Sequence, residues 1–170
     1  GPAACITALT LSGLSTRRFA FEAFLPPDKK ERKAILEELK NETRTIILYE
    51  APHHLVGTLQ ELYQALGNRR MTLCRELTKK HETAFRTTIE DLIVFYKDQK
   101  PLGECVLVIE GRSRKEMEQE SQESWRDISI EEHMAIYENQ GIARKEAMKM
   151  VAKDRGVTKR DIYQALLLQK

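Results

Sequence analysis

The sequence predicts an α/β fold in which five short strands alternate with helices, followed by a small helical appendage. Three observations carry this. Short apolar runs recur between stretches of helical spacing as far as residue 109, residues 112–127 hold almost no apolar side chain, and three short amphipathic stretches with tight breaks follow. A chain of 170 residues, 41% hydrophobic and 32% charged, is long and apolar enough to bury a core.

Ala3 to Ser12, small and apolar, suits a buried helix closed by Gly13 as a C-cap. Phe19 to Leu25 alternates as a strand. Pro26, Pro27 and Asp28 open a surface helix whose narrow stripe is Ile35, Leu36 and Leu39. Thr45 to Tyr49 is a nearly continuous apolar strand, and Pro52 stands in the first turn of a helix striped by Leu55, Leu59, Leu62 and Leu66. Met71 to Cys74 and Ala84 to Thr87 read as strands, Ile89 to Lys97 as a helix, and Cys105 to Ile109 as the last strand.

Residues 1–111 therefore form one α/β domain and the polar stretch 112–127 reads as a solvated linker. Residues 128–170 form a helix-turn-helix-like appendage. Ser129 and Glu132 make a capping box for a helix carrying Met134, Ile136 and Tyr137, and Gly141 ends it. Ile142 to Lys153 turns Ala143, Ala147, Met150 and Val151 inward and stops at Gly156, after which Thr158 caps a helix holding Ile162, Tyr163, Leu166 and Leu167.

No apolar run approaches the ~20 residues of a membrane span, and the start lacks the plan of a signal peptide, which predicts a cytoplasmic protein. The chain runs without a lead-in into its first helical stretch and reads as part of something longer. Cys5, Cys74 and Cys105 lie far apart in apolar surroundings with no paired spacing or nearby histidines, so reduced, buried thiols are expected and no metal site. A net charge of +2 does not by itself announce a nucleic-acid partner.

Tyr49-Glu50-Ala51-Pro52-His53-His54 stands where a buried strand ends and a helix begins, the place where ligands bind in open α/β sheets. Glu50 and His53 are candidates there for acid–base work. Neighbouring histidines in a first helical turn cannot point both rings one way, so at least one is expected to cap or pack. Glu50 has the alternative of a surface carboxylate favoured by the helix amino terminus. Arg75-Glu76-Leu77-Thr78-Lys79 leads a strand into a patch of mixed charge, and Gly103 to Gly111 is a core strand flanked by glycines.

Taken in order, Gly-Pro-Ala-Ala at 1–4, Phe-Leu-Pro at 24–26, Tyr-Glu-Ala-Pro-His at 49–53, Arg-Glu-Leu-Thr-Lys at 75–79 with Glu82, and Gly-Glu-Cys-Val-Leu-Val-Ile-Glu-Gly at 103–111 resemble one family. So does the closing stretch Gly156 to Tyr163. Together they are similar to the second domain and tail of the ribosomal RNA small subunit methyltransferase I family, within the tetrapyrrole methylase superfamily, and the resemblance covers the chain. It implies a mixed five-stranded sheet flanked by helices in the carboxy-terminal part of a two-domain enzyme. S-adenosylmethionine would lie between the domains, and the Gly-Asp-Pro-type loop of the first domain is not in this sequence, so the fragment alone is expected to be inactive.

The resemblance implies cofactor contacts at Gly1, Pro2, Ala3, Ala4, Tyr49, Glu50, Ala51, Leu77 and Val106, each with ordinary core packing as the alternative. The implied reaction methylates a cytidine ribose 2′-hydroxyl in 16S ribosomal RNA of the small ribosomal subunit, without a metal, in a homodimeric enzyme. Glu50, His53 and Glu76 are the candidates to orient or deprotonate the hydroxyl. RNA contacts are expected from Arg17, Arg18, Arg75, Lys79, Arg144 and Lys145, while His54 stands where the family's motif has arginine. A corrin or porphyrin methyltransferase, or a non-catalytic nucleic-acid-binding adaptor, are the competing readings, and the motifs at 49–53 and 75–79 favour RNA.

Overall fold

The computed structural model describes residues 3–168, and the chain divides into two units between Arg112 and Ser113. In the first unit five strands form one mixed sheet: β1 (Phe19–Phe24), β2 (Thr45–Glu50), β3 (Arg70–Arg75), β4 (Thr83–Thr88) and β5 (Cys105–Ile109). Their order is β1-β2-β5-β3-β4, with β1 parallel to β2 and every other pair antiparallel. The carboxyl ends of β1, β2 and β3 therefore share one edge of the sheet with the amino ends of β4 and β5.

All five residues of β5 are buried, which is why that segment reads as an unbroken apolar run rather than an alternating one. Helices cover both faces. On one, Ile46, Leu48, Met71, Leu73, Leu107 and Ile109 pack against α2 (Lys29–Leu39), α3 (Leu55–Leu66) and α4 (Ile89–Phe95). On the other, Ile47, Cys74, Val106 and Val108 meet Ala8 and Leu9 of α1 (Ala4–Ser12), whose mostly small residues suit close approach to the sheet. The predicted stripes of α2 and α3 are the buried ones. Asp28 caps α2 by accepting from the amides of Lys30 and Glu31, and Pro52 lies in the turn before α3 rather than inside it.

Edge strand β1 carries a bulge. Its register against β2 slips between Phe21 and Ala23, and Ala23 takes a left-handed φ of 52°. The slip sets both Phe21 and Phe24 beside Tyr49, edge-on, with ring centroids 5.1 and 5.6 Å away.

The second unit has four helices among its described residues: α5 (Arg114–Ser124), α6 (Ile130–Glu138), α7 (Arg144–Arg155) and α8 (Lys159–Leu168). The expected solvated linker at 112–127 is mostly the helix α5. Its Lys, Glu, Gln and Met residues favour helix, the Ser113 hydroxyl caps it by accepting from the Glu116 amide, and no residue of it is buried. The scarcity of apolar residues thus reflected exposure on a helix. The capping box of Ser129 and Glu132 forms as expected. Met134, Ala147, Val151, Ala152 and Ile162 make the core and Met150, expected inward, is half-buried, whereas Ile136, Tyr163 and Leu167 are 40%, 54% and 52% exposed, because this small unit buries only one narrow stripe per helix. Ala143 is the exposed N-cap of α7.

Fully buried His133 is the unit's polar anchor. Its ring stacks on Trp125 at 3.9 Å, Nε2 lies 3.1 Å from an Asp154 carboxylate oxygen, and Nδ1 accepts from Arg155 Nε at 3.1 Å. The Tyr137 hydroxyl also donates to Asp154, and Arg155 donates to the Ile128 carbonyl.

Two outcomes follow from this packing. A Cβ on Gly111 would lie 2.2 Å from the Thr43 carbonyl oxygen, so Gly111→Ala is expected to destabilise the sheet unit by about 1–3 kcal/mol in urea denaturation. Burial lowers the pKa of His133 from its ordinary 6.5, so below that value the unfolded chain binds more protons than the folded one. Stability of the helical unit should be full above pH about 6.5 and fall as pH drops below it, a slope that thermal melts should find flattened in His133→Gln.

Candidate functional site

Two side-by-side rows define the edge where β1, β2 and β3 end. Phe24, Tyr49, Val106, Cys74 and Ala84 form one row across all five strands, and Glu50, Cys105, Arg75 and Thr83 form the next. Residues from three distant parts of the sequence are thereby brought together. Ala4, Tyr49, Leu77 and Val106, four of the expected cofactor contacts, join a single apolar cluster on the α1 face. Ala3 precedes α1, with its carbonyl accepting from the Ile6 and Thr7 amides, and Gly1 and Pro2 lie outside the described residues.

This edge is also where backbone strain gathers. Among the described residues the non-glycine positions with left-handed φ are Ala23, Glu76 and Thr78, at the ends of β1 and β3. Such positions cost on the order of 1–3 kcal/mol each and concentrate at functional sites. Two of them flank Leu77 and bend the chain so that its side chain is buried in the α1-side cluster.

Glu50 is buried and held on both oxygens. One accepts from the Ala51 amide at 2.8 Å and the other from the Thr58 hydroxyl at 2.5 Å. Arg32 donates to the same hydroxyl at 2.7 Å, lies 4.0 Å from the carboxylate and donates to Glu61 at 2.5 Å. A carboxylate so anchored orients the corner of the chain. Nothing in the sequence flagged Arg32 or Thr58, because the contact joins three elements.

His53 and His54 are exposed, and their rings lie 4.2 Å apart. The expectation that they diverge fails because they occupy the turn before α3 rather than its first helical turn. Neither caps: His54 is the N-cap residue of α3 but makes no side-chain capping bond.

Glu76 accepts from the Glu104 amide at 3.0 Å and pairs with Lys79 at 3.4 Å. The backbone bond, with Lys79, holds its carboxyl below the ordinary value. Gly103 faces it with a left-handed φ of 80°, and any Cβ there would collide with the Glu76 side chain. Glu76 thus clamps the end of β3 to the start of β5. Beside it Lys79 also pairs with Glu104, and Arg75 lies near Thr83.

The remaining basic candidates separate. Arg17 and Arg18 precede β1 and so lie at the opposite edge of the sheet, with Arg69 and Arg70, which bond to Glu110. Arg144 pairs with Glu138 within the helical unit, and Lys145 is exposed beside it. No group of three or more His, Cys, Asp or Glu among the described residues could hold a metal ion, and no described helix is long and apolar enough to cross a membrane.

The chain is similar to proteins of known kind. The family model for tetrapyrrole (corrin/porphyrin) methylases matches residues 1–93. Ribosomal RNA small subunit methyltransferase I of Halalkalibacterium halodurans is 44% identical over 96% of this chain and 56% of its own length. The protein of the same name from Bacillus subtilis is 42% identical over 97% of this chain and 56% of its own, and that of Escherichia coli O157:H7 is 34% identical over the whole chain and 58% of its own. The chain spans little more than half the length of these relatives.

Burial pushes the Cys74 and Cys105 thiols up to about 11, whereas Cys5 is only half-buried. At pH about 8 each buried thiol should be a thiolate on the order of 0.1% of the time, so a disulfide-exchange reagent should label neither until the sheet unfolds. Rapid native labelling at Cys74 or Cys105 would contradict this placement.

Proposed function

We propose, given that the chain belongs to the tetrapyrrole (corrin/porphyrin) methylase family, that it forms the carboxy-terminal part of an S-adenosylmethionine-dependent enzyme that methylates a cytidine ribose 2′-hydroxyl in 16S ribosomal RNA. The observation that carries the reading is the meeting, at one strained edge of the sheet, of an apolar cluster and a polar corner drawn from the motif segments at 49–53, 75–79 and 103–111. The relatives' names favour ribosomal RNA over a corrin or porphyrin as substrate. A ribosomal substrate also suits a cytoplasmic location.

Ala4, Tyr49, Leu77 and Val106 offer apolar walls to a flat adenine, and the fit is physical because Tyr49 and Ala4 are only half-buried while Leu77 and Val106 close the floor. Burial holds the Tyr49 phenol above its ordinary value, so it faces the site uncharged. When bound, S-adenosylmethionine supplies the electrophilic methyl group. The chain's own contribution is positioning, with Glu50 fixing the strand-to-helix corner and Glu76 fixing the turn after β3. Of the three polar candidates His53 is the exposed one with no hydrogen bond among the described residues, and it is the group to accept or steer the hydroxyl proton. Arg75 and Lys79 at this edge, and Arg144 and Lys145 on the helical unit, are the proposed phosphate contacts. Arg17 and Arg18 lie outside this site.

The test uses the full-length enzyme on 30S subunits. Labelled methyl from S-adenosylmethionine should enter 16S ribosomal RNA and leave an alkali-resistant dinucleotide, since a methylated 2′-oxygen cannot attack its neighbouring phosphate. His53→Ala should lower kcat by about 10²-fold or more with little change in cofactor Kd. A methylated base instead of ribose would overturn the assigned acceptor, and normal kcat would remove His53 from the reaction.

A further inference from the structure

We infer that the groove at the carboxyl ends of β1 and β2 is a subsite for single-stranded RNA, which holds the base and phosphate of a nucleotide next to the one that is methylated. The inference rests on the RNA-methyltransferase reading above. The groove has a volume of about 490 Å³ and is lined by Phe24, Lys29, Ala51, His53, His54 and Gly57, with Arg32, Glu50 and Glu61 also on its wall.

Four features of this groove point to a nucleotide. Phe24 is 62% exposed, and its contact with Tyr49 is edge-on, so the pair does not stack face to face. The bulge at Ala23, with its left-handed backbone, leaves Phe24 exposed at the mouth of the groove while the next residue, Leu25, is buried in the core. The Lys29 side chain is exposed and has no ion pair or hydrogen bond among the described residues, and the two imidazoles of His53 and His54 stand side by side, both exposed. The groove's two carboxylates are already engaged, since Glu50 is bonded to Thr58 beside Arg32 and Glu61 is bonded to Arg32. This leaves Lys29 and the imidazoles to meet an anion.

Gly57 is the fourth feature. It is the third residue of α3, where glycine is less stable than alanine, yet a Cβ there would meet nothing within 4 Å. Packing does not require the glycine. A longer side chain at that position would enter the groove, so its absence keeps the floor open. An exposed aromatic face beside an unpaired ammonium and two imidazoles that can donate hydrogen bonds, above an open floor, is the combination that binds single strands by stacking and phosphate contact. A protein partner would instead call for a contiguous apolar face, and the groove offers one exposed ring. Phe24 touches Tyr49, and Ala51 belongs to both the groove and the strand end, so a nucleotide held here is adjacent to the proposed reaction centre.

The experiment titrates this chain with a single-stranded pyrimidine RNA hexanucleotide, followed by amide chemical shifts and fluorescence anisotropy. Shifts should centre on Phe24, Lys29, His54 and Gly57. Phe24→Ala should weaken binding about tenfold or more, from loss of stacking. Lys29→Ala should weaken it several-fold and lower the slope of log K against log salt by about 0.7. Gly57→Gln should keep or raise Tm while binding falls, which separates a filled groove from a damaged fold. Unchanged affinity in Phe24→Ala and Gly57→Gln, shifts confined to residues 113–170, or no binding at all would each overturn the groove. The underlying reading is judged separately, by methyl transfer from the wild-type full-length enzyme to 30S subunits: transfer together with groove variants of unchanged KM overturns the groove alone, and no transfer overturns both.

Discussion

The sheet depends on β5. It is the last strand in the sequence, yet it lies at the centre, antiparallel to β2 on one side and β3 on the other, with all five residues out of water. Burial at roughly 25 cal/mol per Å² of apolar surface rewards that insertion, but only in one register, since a slip of one residue would turn Val106 and Val108 toward the other layer. The register that buries them also sets Tyr49 and Cys74 on either side of Val106, and Glu50 and Arg75 on either side of Cys105. The site's geometry is thus a consequence of core packing.

Around that centre, polar groups lock the strand ends. Glu50 reaches across to Thr58 and Arg32, and Glu76 reaches across to the Glu104 amide opposite Gly103. Buried or partly buried carboxylates need such partners, because an unsatisfied charge there costs more than any single contact returns. The consequence is a division along one edge: two acidic side chains hold the backbone, while the side chains of His53, His54 and Lys29 are exposed with no hydrogen bond or ion pair among the described residues, and Phe24 is exposed beside Tyr49. The left-handed residues Ala23, Glu76 and Thr78 fit the same picture, with strain at the edge tolerated because the sheet behind it is rigid.

The helical unit follows a different economy. Its apolar core is small, and the buried imidazole of His133, stacked on Trp125 and bonded to Asp154 and Arg155, joins the end of α5 to α6 and α7. In a unit of this size a satisfied polar network supplies specificity that a few apolar side chains cannot. It also explains why the stretch 112–127 is ordered although it buries nothing: Trp125 at its end is its anchor.

Much of the fold was legible in the sequence because strands and helices announce themselves by local periodicity. Five strands, the stripes of α2 and α3, the C-cap at Gly13 and the capping box at Ser129 all lie where spacing put them. The motif segments at 49–53 and 75–79 likewise lie at the carboxyl ends of β2 and β3, and 103–111 spans β5. What periodicity could not reach was anything set by contact across the chain. The bulge that turns Phe24 beside Tyr49, the adjacent, tilted rings of His53 and His54, the capture of Glu50 by Arg32 and Thr58, and the separation of Arg17 and Arg18 from the site edge all depend on tertiary packing, strand order and register. By itself the sequence determined which segments would be strands, which helices, and where the strand ends fall, since these follow from side-chain hydrophobicity taken a few residues at a time. Only the tertiary structure decided which polar groups remain free there, because a carboxylate or imidazole is committed or left available by partners tens of residues away, and those partners meet only once β5 has closed the sheet.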